Sequence, residues 1–380
     1  MRRIHKDDLN RARILVRTPN WLGDAVMCLP ALQALRRALP EADLVLVARP
    51  WVLDLFPLEE LRCKAVAYDT QDAHRGLLGR WRIASALRKG QFQAAILFQN
   101  AFDAALLAVL SGIRVRAGYA RDGRRLLLTH AIQVPPPGAI PPHEAHYYLE
   151  LLRRLGLIED YPEVREITLP ATEGGREGAR ENIARLAVGR KQEALEGAIG
   201  ACVEKGPIVG ISPGAAYGTA KRWHGARFAE LARKLSTELG AVPVFFGSKD
   251  EAPLAESLLR EAGESAISFA GKTSLSDFMR LIAGCDLYVT NDTGAMHVAA
   301  ALGVPTLAIF GPTDERATRP LGARVRLLVG YAECRPCLLR HCPIDHRCMN
   351  SVSVEEVFEA ALSLLERRSE LPLVHQNHVR

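Results

Sequence analysis

No apolar run in this chain of 380 residues reaches the ~18 needed to cross a bilayer as a helix. The opening residues, Met1-Arg2-Arg3-Ile4-His5-Lys6-Asp7-Asp8, lack the apolar stretch of a secretory leader, so a cytoplasmic protein is expected. No zinc-finger or RNA-binding signature occurs, which argues against nucleic acid as partner. No segment repeats with a period of about 20–50 residues, so a solenoid is excluded. There is no clear Asp-x-Asp pair of the kind that holds a catalytic cation.

What remains is a globular composition, 48% hydrophobic and 24% charged, long enough for two cores. The formal charge of +6 is unevenly placed. The first 150 residues hold 21 Lys and Arg against 14 Asp and Glu, so the excess lies there and the rest is near neutral. A basic first half suits an anionic partner: an acidic glycolipid, a membrane surface or nucleic acid.

Short apolar strands alternate with helical segments. Ile14–Arg17, Leu44–Ala48 and Ala94–Phe98 read as strands, and Ala25–Leu39 as a helix stopped before Pro40. The pattern weakens over 157–206, where residues 173–205 suggest one or two surface helices. It resumes with strands at Ile208–Ser212, Val242–Phe246, Leu287–Thr290 and Thr306–Phe310. Helices are expected over Ala226–Leu239 (closed by Gly240), Ser274–Cys285, Ala295–Leu302 and Val354–Arg368. Buried strands separated by helices imply parallel sheets covered on both faces. The expected organisation is an α/β domain over 1–166, a second over 167–350, and a helix and tail over 351–380 that could pack back on the first domain.

Ligands of such sheets bind beyond the carboxyl ends of the strands, so the strand-to-helix loops carry the chemistry. The first reads Thr18-Pro19-Asn20-Trp21-Leu22-Gly23-Asp24. Gly23 would admit a ligand close to the backbone. Asp24 is either a functional carboxylate or one placed to stabilise a helix start. The second, Ser212-Pro213-Gly214-Ala215-Ala216-Tyr217-Gly218-Thr219-Ala220-Lys221-Arg222-Trp223, combines small residues with cations, as a phosphate cradle requires. It is neither a Walker A loop nor a Gly-x-Gly-x-x-Gly fingerprint. The third, Phe246-Gly247-Ser248-Lys249-Asp250, reads as a turn that could wall a nucleotide site. The fourth, Asn291-Asp292-Thr293-Gly294-Ala295-Met296-His297, turns from strand into helix with groups suited to sugar hydroxyls and phosphate.

Taken together and in order, these four loops and Thr290 to Ala301 resemble the ADP-heptose:lipopolysaccharide heptosyltransferases of glycosyltransferase family 9, most of all the heptosyltransferase II branch. The resemblance implies a GT-B architecture of two Rossmann-like domains facing across a cleft. It implies an inverting transfer of heptose from ADP-L-glycero-D-manno-heptose to the inner core of lipopolysaccharide. Asp24 would be the general base and Lys221 the cation at the donor phosphates. Gly214, Thr219, Gly247, Asp292, Thr293, Gly294 and His297 would also contact the donor. Asn20, Trp21, Gly23, Arg80, Arg82, Arg121, Arg124 and His146 would meet an anionic lipooligosaccharide acceptor, at the cytoplasmic face of the inner membrane. In the third loop the chain departs from relatives that carry an acid where Ser248-Lys249 stands. No cofactor is required for the chemistry, and dependence on Mg²⁺ stays open. A nucleotide-sugar 2-epimerase and a non-enzymatic nucleotide-sugar binding protein are the rival readings.

Eight cysteines fall into two groups. Cys28, Cys63, Cys202 and Cys285 are isolated and expected to act as small apolar residues. Cys334, Cys337, Cys342 and Cys348 cluster, with His341 and His346 between them. Such a cluster admits a structural metal, most readily Zn²⁺, free thiols or disulfides; in a reducing compartment the metal is the expectation. Its place after the last expected strand suggests a loop clip.

Overall fold

The structure is a computed structural model that describes residues 5–172, 174–188 and 206–369. Its described residues divide into two compact units. One runs to Leu169 and includes Arg316–Thr318; the other runs from Pro170 to Glu315 and resumes at Arg319.

The first unit contains β1 (Arg13–Arg17), α1 (Leu22–Ala38), β2 (Asp43–Ala48), β3 (Lys64–Ala67), α2 (Gly76–Lys89), β4 (Ala94–Leu97), α3 (Phe102–Leu110), β5 (Val115–Tyr119), β6 (His130–Ile132) and α4 (Glu144–Leu155). All pairings in its sheet are parallel, in the order β3-β2-β1-β4-β5-β6. β1 is central, with Leu15 opposite Val45 on one side and Ala95 on the other. Helices cover both faces, so residues 14–17 are all buried, which is why the strand reads as an unbroken apolar run. α1 starts at Leu22, so Asp24 is its third residue, where a carboxylate opposes the positive helix end.

The second unit begins with α5 (Gly175–Val188), which packs on a later helix and sends Arg176 and Arg180 to the buried Asp286. The rest of the expected 173–205 helical region lies largely outside the described residues. Then come β7 (Ile208–Ser212), α6 (Gly225–Leu239), β8 (Val242–Phe245), α7 (Ala252–Ala262), β9 (Ile267–Ser268), α8 (Leu275–Ala283), β10 (Leu287–Asn291), α9 (Gly294–Ala301), β11 (Thr306–Phe310), β12 (Val325–Val329) and α10 (Val354–Ser369). Gly240 ends α6 in the left-handed conformation at φ +60°, and Ser274 caps α8 reciprocally with Asp277. The sheet is again wholly parallel, in the order β12-β11-β10-β7-β8-β9. Counted from its own first strand, this order is the same as in the first unit: both are 3-2-1-4-5-6 sheets.

The terminal helix is part of the second unit: Val357, Phe358, Ala360 and Ala361 of α10 enter its core, beside Phe228, Val289 and Ile309. One expectation needs correcting here. The last core strand is β12 rather than Thr306–Phe310. Its mixed exposure at a sheet edge hid it from an apolar-run criterion.

Candidate functional site

A sheet of this order has a switch point where connections from neighbouring strands leave on opposite faces, opening a crevice at the strand ends. In the first unit it lies between β1 and β4, and in the second between β7 and β10. The loop with Asp24 follows β1, and the loops with Lys221 and Asp292 follow β7 and β10. The motifs therefore sit where this topology places ligands.

In the second unit the two loops are tied together. Asn291, at the end of β10, accepts from the Trp223 amide at 2.9 Å and donates to the Pro213 and Gly214 carbonyls at 2.8 and 3.2 Å. Beyond it, Lys221 Nζ lies 2.6 Å from Asp292 Oδ2, which also accepts from the Thr313 hydroxyl at 2.6 Å. Asp292 is buried and the Lys221 side chain is 12% exposed. An ammonium has three donors; Asp292 takes one and leaves the others for an anion above the strand ends. Thr293 stands at the N-cap position of α9 without a side-chain capping bond, and His297 is buried one turn in. A Cβ at Gly214 would fall on the Glu251 carboxylate, which would have to swing aside. That same carboxylate accepts from the Ser248 amide at 2.8 Å and lies beside Gly247.

The cysteine segment is not remote from this site. Its Arg340 carbonyl accepts from the Ala220 amide at 3.0 Å, and His341 Nδ1 is 3.0 Å from the exposed Thr219 hydroxyl. Lys221 and Arg340 both approach the Tyr217 ring, at 5.1 and 5.0 Å. A Cβ at Gly218 would fall on the Arg340 carbonyl. The segment therefore buttresses the basic loop. No disulfide joins Cys334, Cys337, Cys342 or Cys348. Burial, reinforced by the other three thiols, pushes Cys348 up. The four are neighbours, but among the described residues no three His, Cys, Asp or Glu side chains stand together as a metal-ligand set. The expected ligand set is in this respect not closed.

In the first unit, Arg17 is fully buried beneath the β1 loop and donates to the Val47 carbonyl at 2.8 Å and to Asn20 at 2.9 Å. Burial lowers its pKa to about 10. Asn20 is thereby fixed, and Trp21 beside it is 59% exposed. Gly23 and Asp24 are half-buried in the first turn of α1, which packs against α4. At the head of α4, Glu144 is pushed up to about 7 by burial and then by the charge of Asp24, with Arg121 opposing. Arg121 is exposed and bonded to the Tyr147 hydroxyl, which raises its pKa further. Arg82 is exposed on α2, while Arg80 is engaged by Asp103 at 2.6 Å.

Two expected acceptor residues are instead structural. Arg124 is 0% exposed and donates to the Tyr119 carbonyl and to Asn100 at 2.9 Å each, and also to the Gln99 carbonyl. It ties the ends of β4 and β5 together and presents no donor outward. His146 is 2% exposed, and its Nε2 accepts from the Val164 amide at 2.9 Å. It is also the third residue of α4 and not its start, which Glu144 makes with His143 as cap.

Glu144, Glu251, Asn291, Thr313 and Tyr217 join the site without having been singled out in the sequence. Asn291 and Tyr217 lay inside quoted motifs. Thr313 and Glu251 follow strands β11 and β8, so a survey of every strand end would have reached them.

Two parallel 3-2-1-4-5-6 sheets, each covered by helices, are the two Rossmann-like units of the GT-B class of glycosyltransferases. Residues 80–347 match glycosyltransferase family 9 (heptosyltransferase). The chain belongs to that family. It is 31% identical to lipooligosaccharide heptosyltransferase 2 of Haemophilus influenzae, over 83% of this chain and 89% of that one. It is 29% identical to lipopolysaccharide heptosyltransferase 2 of Escherichia coli, over 85% and 90% respectively. The solved Escherichia coli ADP-heptose heptosyltransferase II superposes with a TM-score of 0.73 at 25% identity, over 94% of this chain and 99% of that one. A family 9 structure from Veillonella parvula shares the fold, with a TM-score of 0.77 at 22% identity over 96% and 100%. Membership favours the transferase over the epimerase and sensor readings.

Proposed function

We propose that the protein transfers heptose from ADP-heptose to the inner core of a lipopolysaccharide acceptor, with inversion at the anomeric carbon. The observation that carries this reading is the Lys221–Asp292–Thr313 network at the second switch point, within a chain similar to heptosyltransferases 2 over most of its length. The ADP moiety lies over the β7 and β10 loops. Lys221 and the first amides of α9 neutralise the diphosphate as its bond to the anomeric carbon breaks. The Glu251 carboxylate, beside Gly214 and Gly247, is suited to accept hydrogen bonds from donor hydroxyls.

Inversion needs one displacement, so one base suffices. Asp24 takes the proton of the attacking hydroxyl as the new bond forms. Arg82 and Arg121 are the exposed guanidinium groups that pair with anionic groups of the acceptor. The acceptor is carried on lipid, so the enzyme works at the cytoplasmic face of the inner membrane as a peripheral protein. Incubation with ADP-heptose, with and without a deep-rough acceptor, is the test. Release of ADP only with acceptor supports transfer; conversion of the sugar without acceptor would indicate an epimerase.

We also propose that Cys334, Cys337, Cys342 and Cys348 take up one structural Zn²⁺. The support is the clustering of four cysteines within one short segment of sequence, thiol chemistry that zinc favours. Elemental analysis of protein purified without chelator tests it.

A further inference from the structure

Helix α2 has an outward face that water solvates poorly. Leu77 is 82% exposed, Leu78 80% and Trp81 67%. At about 100° per residue these three share one half of the helix with Arg82, Arg88 and Lys89, all exposed. Gly79, Ile83 and Leu87 point the other way, with Ala84 at the margin beside Leu77; Ile83, Ala84 and Leu87 join the core of the first unit. The inward face is therefore already satisfied, and the outward leucines and tryptophan contribute nothing to that core. Exposed apolar groups so close together mark a surface that meets something.

Charge indicates what that partner is. No acidic residue occurs between Asp72 and Asp103, while Arg75, Arg80, Arg82, Arg88 and Lys89 all do. Arg80 is neutralised by Asp103, and one Arg88 nitrogen donates to the Leu110 carbonyl at 2.8 Å. The remaining cations flank the apolar cluster without carboxylates. An acid-free basic helix with leucines and a tryptophan outward combines the features that seat a helix in an anionic lipid interface.

We propose that the outward face of α2 docks on an anionic phospholipid bilayer. Leu77, Leu78 and Trp81 enter the boundary between headgroups and acyl chains, and Arg75, Arg88 and Lys89 pair with lipid phosphates. The inference deepens the reading of a lipid-borne acceptor and rests on it for its purpose. Its test, however, needs no acceptor.

The full chain is sedimented with vesicles of phosphatidylglycerol and phosphatidylethanolamine, and with vesicles of phosphatidylcholine alone. The wild type binds the first and not the second. The double variant Leu77→Ser/Leu78→Ser loses at least about tenfold in vesicle affinity. Arg88→Gln and Lys89→Gln each lose about fivefold at low salt and little at high salt. Lipids brominated on the acyl chain quench tryptophan emission, and Trp81→Phe removes most of that quenching. Equal binding by the leucine variant, or quenching unchanged in Trp81→Phe, overturns the proposal. So does self-association of the wild type without vesicles that the leucine variant abolishes, because a second copy would then be the occupant. Transfer to a deacylated, water-soluble acceptor is measured in parallel, and the leucine variant keeps it at the wild-type rate. Loss of that transfer in both proteins contradicts the transferase reading and leaves vesicle binding to be judged on its own.

Discussion

Replacing Glu144 by glutamine should stabilise the protein at alkaline pH and change little at acid pH. The carboxyl is raised from 4.5 to about 7 by burial and by Asp24. The unfolded chain ionises this group near 4.5, so folding opposes ionisation in the window between the two values. A raised group contributes its full share of stability below about 4.5 and loses it as pH climbs through about 7. At ~1.36 kcal/mol per pH unit, the loss approaches about 3 kcal/mol at pH 8. Two effects reduce it. The side chain is only half-buried, so water screens part of the repulsion, and its place at the start of α4 favours negative charge by roughly 0.3–1 kcal/mol. A net gain of about 1–3 kcal/mol for Glu144→Gln at pH 8 is expected. Urea unfolding of both proteins at pH 5 and pH 8 measures it. Curves that differ equally at the two pH values would refute the assignment of a strained carboxyl beside Asp24.

Asp24→Asn keeps the shape of the first turn and removes the base, so kcat should fall by roughly 10²–10⁴ with little change in ADP-heptose affinity; near-wild-type turnover in a quenched-flow or coupled ADP assay would remove Asp24 from the chemistry. Lys221→Met leaves Asp292 buried without its cation, which should cost about 3–5 kcal/mol in unfolding free energy and weaken ADP binding by calorimetry. Arg121→Ala should raise the acceptor KM more than the donor KM, whereas Arg124→Ala should chiefly lower Tm, since its bonds go to the ends of β4 and β5. Cys337→Ser should lower Tm and also loosen the basic loop that Arg340 and His341 support, seen as faster amide exchange at Ala220.

The strands most legible in the sequence were those buried on both faces. Ile14–Arg17, Ile208–Ser212 and Leu287–Asn291 have no polar face to solvate, so they read as apolar runs. The edge strands Lys64–Ala67 and Val325–Val329 are partly solvated and went unread. Helix ends were readable where a cap fixed them, as at Ser274 and Gly240. The site divided along the same line. Residues inside the loop motifs could be named from one stretch of chain. Glu144 approaches Asp24 in the first unit, and Glu251 and Thr313 join the Lys221 and Asp292 loops in the second, each from another part of its own unit's fold. Arg124 shows the converse. An arginine in a basic loop reads as a surface cation, yet this one turns inward to the carbonyls of Tyr119 and Gln99 at two strand ends, and a buried carbonyl left without a donor would cost about 1–3 kcal/mol.

The central claim is most directly tested by incubating the purified protein with ADP-heptose and a deacylated inner-core acceptor, then weighing the acceptor by mass spectrometry. The account predicts a product heavier by one heptose, with ADP released mole for mole and only when acceptor is present. An acceptor of unchanged mass, with the sugar nucleotide epimerised or merely bound, would contradict it.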